Sequence, residues 1–86
     1  MNTIIISNVL KQHISPVLVI RNVPNKESVL TIKRLYLQAG LLDPQNDASN
    51  IMIQTASEAE SNIIGLARKA PTIDWSDLLT KANKPL

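Results

Sequence analysis

Apolar side chains recur most regularly between Ser28 and Ala39. Val29, Ile32, Leu35, Tyr36 and Ala39 fall at helical spacing and predict one amphipathic helix. Gly40 stands where a helix ends in a residue of positive φ. Upstream, Val17-Leu18-Val19-Ile20 is a largely β-branched run. Ser15-Pro16 bounds it on one side and Asn22-Val23-Pro24-Asn25 on the other, which predicts a strand buried on at least one face. Ile51-Met52-Ile53-Gln54 alternates as a second strand. A second helix is expected from Thr55 or Ser57 to about Lys69, where Pro71 ends it. Ser57 and Glu60 have the spacing of a capping box, and Ala59, Ile63 and Leu66 form the buried face. Between Gly40 and Ile51, Asp43-Pro44 and Asn46-Asp47 mark turns.

Two segments leave alternatives open. Residues 3–6 suit a short strand, and Asn8 to Ile14 suit a turn of helix. At the other end, Asp74 to Leu79 could open a third helix, while Leu78 to Lys81 could form an edge strand.

Composition narrows the class without naming a function. Eighty-six residues make one domain, 44% apolar and 19% charged, enough for a single core. Tyr36 and Trp75 are the only aromatic residues, so Ile, Leu and Val must build that core. With no cysteine there is no disulfide and no thiolate metal site, and His13 has no partners at metal-ligand spacing. No cofactor and no metal are expected. The net charge of +2 leans toward an anionic partner, although the basic residues are scattered. Lys33-Arg34 sits opposite the apolar stripe of its helix and reads as a solvated or partner-facing pair. No apolar run approaches membrane-spanning length, and the start lacks the features of a signal peptide. The expected location is intracellular, in nucleus or cytoplasm.

The stretch from Leu18 to Gly40 resembles the opening half of an RNA recognition motif. That family places an apolar strand ending in Asn-Leu-Pro before a helix with Leu-Arg, Leu-Phe and a glycine stop. Here Asn22-Val23-Pro24, Ile32-Lys33, Leu35-Tyr36 and Gly40 keep that order. Ile51, Ile53, Thr55, Glu58, Ala59, Glu60, Ile63 and Leu66 resemble the family's third strand and second helix, so the likeness covers residues 17–68. It implies an α+β, ferredoxin-like βαββαβ sandwich, an antiparallel sheet with two helices on one face. Residues 1–15 would be an N-terminal extension and 16–86 the domain. Three features depart from the pattern. Only about ten residues separate Gly40 from Ile51, so the second strand is shortened or missing. Asn62 replaces a small apolar residue. The last strand is unconvincing, and if residues 74–83 are helical something else completes the sheet, Ile4 to Ile6 being the candidate.

The family holds single-stranded bases on aromatics of its two central strands. The register implied here turns Leu18 and Ile20 toward the helices and Val19 and Arg21 outward, with Ala48, Asn50 and Met52 outward on the next strand. Losing two or three stacking aromatics forgoes about 2–6 kcal/mol. The RNA-binding candidates that remain are Val19, Arg21, Asn22, Asn50, Met52 and Lys81, with Lys84 also in reach of phosphate. Arg21 offers a planar guanidinium for stacking or phosphate. The protein-binding candidates are Val19, Met52 and Trp75. Trp75 reads either as an anchor for the C-terminal segment or as an exposed hot spot.

His13 and Ser15 have no fixed acid partner, and Asp74 and Asp77 look like helix-start residues rather than a carboxylate dyad. No enzyme is expected. The functions in contention are a small RNA recognition motif-like module that binds single-stranded RNA within a ribonucleoprotein or RNA-processing assembly, a degenerate member of that fold that binds protein, and a small antitoxin-like regulator.

Overall fold

The computed structural model describes residues 2–55 and 70–83. The expected helix from Thr55 or Ser57 to Lys69, with Glu58, Asn62 and the capping pair Ser57 and Glu60, lies outside the described residues, as does Lys84.

Strand β1 (Asn2–Leu10) and strand β2 (His13–Val23) form an antiparallel hairpin. Lys11 and Gln12 link them with both φ angles positive, the two-residue turn whose twist matches paired strands. Helix α1 (Val29–Gln38) follows. Ser28 caps it by accepting from the Thr31 N–H at 3.1 Å, and Gly40 leaves it at φ +70°. A single 3-10 turn at Ala48–Asn50 leads into strand β3 (Ile51–Thr55). The short strand β4 (Thr72–Asp74) runs directly into helix α2 (Trp75–Ala82). Asp74 caps α2 through the Ser76 N–H, and Trp75, Leu78, Leu79 and Ala82 turn one apolar face to the core. The helical alternative for this segment therefore holds.

The fold is α+β: a four-stranded mixed sheet in the order β3-β1-β2-β4, with the two described helices on one face. β1 is antiparallel to both neighbours, whereas β4 is parallel to β2. Three expectations are corrected here, the first being the ferredoxin-like βαββαβ arrangement, which the strand order β3-β1-β2-β4 does not follow. The sheet is not wholly antiparallel, because the chain reaches β4 travelling in the same direction as β2. Residues 2–10, expected as part of an extension, form a central strand. The suggestion that Ile4 to Ile6 complete the sheet describes their place. The connection from Gly40 to Asp47 contains no strand.

Ile4-Ile5-Ile6 shows why a central strand reads as a continuous apolar run. Ile4 and Ile6 pack with Leu18, Ile20, Val23, Ile32, Leu35, Tyr36, Trp75 and Leu78 under the helices. Ile5 turns to the opposite face and packs with Val19, Ile14 and Ala70. Both faces of the strand are buried, so polar alternation has no place to appear. Two irregularities shift the hairpin register, each placing one extra residue on β2. At one, Ile6 pairs with Leu18 but Ser7 with Pro16. At the other, Asn22 adopts φ +62°, a conformation that asparagine tolerates better than most residues.

Candidate interaction surfaces

The residues proposed for RNA divide between different parts of the molecule. Val19 points away from the helices, as the strand parity implies, but is only 8% exposed. Ser7, on the same face, is fully buried, and Met52, its partner across β1 and β3, is half-buried. Where these residues lie, the face is closed to a stacked base. Arg21 is exposed. Asn22 is exposed too, but its side chain donates to Asp74 Oδ1 and ties β2 to the cap of α2. Asn50 and Ala48 belong to the 3-10 turn ahead of β3, which removes them from the strand face expected for them. Lys81 is exposed in the last turn of α2, whose apolar side packs on the opposite face of the sheet. The six candidates therefore do not converge.

Nor do the protein-binding candidates. Trp75 is 8% exposed and packs in the main core under the helices, whereas Val19 lies across the sheet from it. The tryptophan is the anchor of its segment, and the expected patch of Val19, Met52 and Trp75 is split by the sheet.

Asp74 is the most heavily used polar side chain here. Oδ1 accepts from Asn22, and Oδ2 accepts from the Ser76 hydroxyl at 2.9 Å and from its N–H at 3.2 Å. The bond from Asn22, followed by those from Ser76, holds its carboxyl below the usual range. The arrangement is structural, as its helix-start spacing suggests.

Among the described residues, two concave regions flank the hairpin. A cleft of about 260 Å³ is lined by Val17, Leu18, Tyr36, Leu41, Asp43, Asn46 and Pro71. Burial, and then the nearby Asp43 carboxylate, push the Tyr36 phenol above its ordinary pKa, and its hydroxyl donates to the Leu41 carbonyl at 3.3 Å. A shallow groove of about 500 Å³ at the hairpin end is lined by Asn8, Leu10, Lys11, His13 and Ser15. It brings His13 and Ser15 together on one side of the ribbon with no carboxylate in the lining. Among the described residues, no three His, Cys, Asp or Glu side chains are grouped to hold a metal ion.

Among the described residues, the exposed large hydrophobics other than Leu10 all lie on α1, on a side that the sequence reads as mostly solvated. The outward face of α1 carries Leu30 at 81%, Val29 at 50% and Leu37 at 37% exposure. Val29, expected in the buried stripe, is therefore at its margin, and the core side consists of Ile32, Leu35, Tyr36 and half-buried Ala39. Leu30 and Leu37 are seven residues apart, which puts them about 10 Å apart on nearly the same line of the helix. Lys33 and Arg34 flank that line on either side, and α1 contains no acidic residue. The signal was the i, i+7 leucine pair, masked by the stronger stripe opposite.

Among the described residues, no helix is long and apolar enough to cross a membrane. Comparison of the chain with protein-family models, curated proteins and solved structures finds no match.

Proposed function

We propose that this chain is a small non-catalytic module that recognises another protein through the outward face of α1. One contrast carries the reading: Val19, at the expected recognition position of the sheet, is 8% exposed, while Leu30 on α1 is 81% exposed. A single exposed leucine is ordinary on any protein surface. Leu30 and Leu37 lie on nearly one line of the helix, with exposed Val29 about 100° round from it. This one ten-residue helix thus carries three exposed large apolar side chains, more than scattered surface leucines explain. The succession of β2, α1 and β3 keeps the element order that prompted the likeness to RNA recognition motifs. A degenerate relative of that family that no longer uses its sheet face is compatible with the same proposal.

Single-stranded RNA is the second reading, and exposed Arg21 favours it. A guanidinium can stack on a base or grip phosphate without an aromatic neighbour. Against it, Asn22 is engaged by Asp74 and Lys81 lies elsewhere.

A photoreactive amino acid placed at Leu30 or at Arg21, in the full chain expressed in the cells that make it, separates the two. The expected result is a discrete protein adduct from Leu30 and none from Arg21. A nucleic-acid adduct from Arg21, with nothing captured at Leu30, would overturn the proposal.

A further inference from the structure

We infer that the partner element docking on α1 is an acidic amphipathic helix, with an apolar stripe at i, i+3/i+4, i+7 spacing and glutamate or aspartate along its margins. The inference rests on the reading that α1 is the docking face, and adds the chemistry of what docks there.

The shape of the face comes first. Leu30 and Leu37 form a two-rung apolar ridge, with exposed Val29 about 100° round the helix from it. Two leucines one heptad apart are the spacing with which one helix interdigitates with another. An extended strand would instead seek unpaired backbone groups, which the outer side of a helix does not offer.

Charge then selects the sign of the partner. Lys33 and Arg34 border the ridge and α1 itself has no carboxylate, while before the helix exposed Lys26 is offset by half-buried Glu27. Of the two flanking charges, Lys33 also lies near Asp47. Ser49 holds the Asp47 carboxyl below its ordinary range through its N–H and then its side chain, and the charge of Lys33 adds to that. Arg34, exposed and forked, is the better-placed donor for a partner carboxylate. A basic or neutral partner helix would leave these cations facing like charge or none.

The same charges argue against a second copy of this chain. Packing α1 on α1 would set Lys33 and Arg34 against their own counterparts. The exposed side of α2 presents Ser76, Asp77, Thr80 and Lys81, which is polar throughout and has no ridge to meet Leu30. Neither described helix presents an exposed face that is both acidic and apolar.

The test uses the full isotope-labelled chain and two stapled helical peptides of about 15 residues, long enough to span the ridge. Both carry the same leucine stripe, one with glutamate margins and the other with lysine margins. Amide shifts are followed in parallel with anionic lipid vesicles and with a randomised single-stranded RNA pool. The glutamate peptide is expected to shift residues 29–38, to bind about tenfold more weakly to Leu30→Ala, and to weaken with added salt. Arg34→Glu is expected to reverse the preference and favour the lysine peptide. Both replaced side chains are exposed, and an unchanged amide spectrum elsewhere verifies folding. Equal binding of the two peptides at α1 overturns the acidic chemistry and leaves the docking face standing. Response at α1 to vesicles or RNA but to neither peptide, or no response at α1 at all, overturns both.

Discussion

Ser7 is the residue at which this protein leaves a polar group most plainly unsatisfied. It is fully buried on a central strand, and its hydroxyl has no hydrogen-bond partner among the described residues. An unpaired buried hydroxyl carries its desolvation cost without return. Ser7→Ala should therefore raise stability by about 1 kcal/mol in urea unfolding, where a polar residue of structural value would lower it. Asp74 is the opposite case, an exposed carboxylate with three bonds. Its pKa is lowered from the ordinary 3.8, so its contribution is present at neutral pH and is lost as the pH falls from that value through the lower folded one. Asp74→Ala should lower the unfolding midpoint at pH 7. Asp74→Asn, which still caps a helix, should recover much of that loss and flatten the acid limb of the stability profile. The capping role was legible, since aspartate one residue before an apolar helix pattern is a local signal. The partnership with Asn22 was not, because it joins positions 52 residues apart.

At the scale of elements, α1 has two faces of very different exposure, and substitution separates them. Ile32 is almost fully buried in the main core, whereas Leu30 is not. Ile32→Ala should cost about 2–5 kcal/mol, and Leu30→Ala should stay within about 0.5 kcal/mol, both read from urea midpoints. A large loss at Leu30 would mean that the ridge serves the fold rather than a partner. Helix α1 and strand β3 were readable because their caps, glycine stop and periodicity are local. The hairpin was not. Its turn is Lys11-Gln12, which lacks the glycine or asparagine that normally announces positive φ, so Asn8 to Ile14 admitted a helical turn. Strand β1 was under-read for a related reason. Its core, Ile4-Ile5-Ile6, is covered on both faces, and a run without alternation does not distinguish a short strand from a long central one.

For the whole molecule, the order of elements was more legible than their arrangement in the sheet. From Val17 to Ile53 the chain runs strand, helix, strand, which is one strand short of the order that the likeness to an RNA recognition motif implied. Which strand lies between them depends on pairing across the chain, and here it is β1, antiparallel to both β2 and β3. The parity of Val19 was also readable, but its burial was not, because burial depends on what covers the face. The same limit applies to the candidate site: parity gave Val19 and Arg21 their side, while the separation of Trp75 and Lys81 from them came from the packing of α2. The result is a molecule with a closed sheet face at Ile5, Ser7 and Val19 and an apolar, basic-edged helix on its outside. In the proposed function, recognition uses that helix rather than the sheet. An amide titration of the labelled full chain with a randomised single-stranded RNA pool, at low and then higher salt, tests it most directly. Recognition through α1 entails no salt-sensitive shifts at residues 17–22 and 50–54; shifts clustered there, and lost as salt rises, would place recognition on the sheet instead.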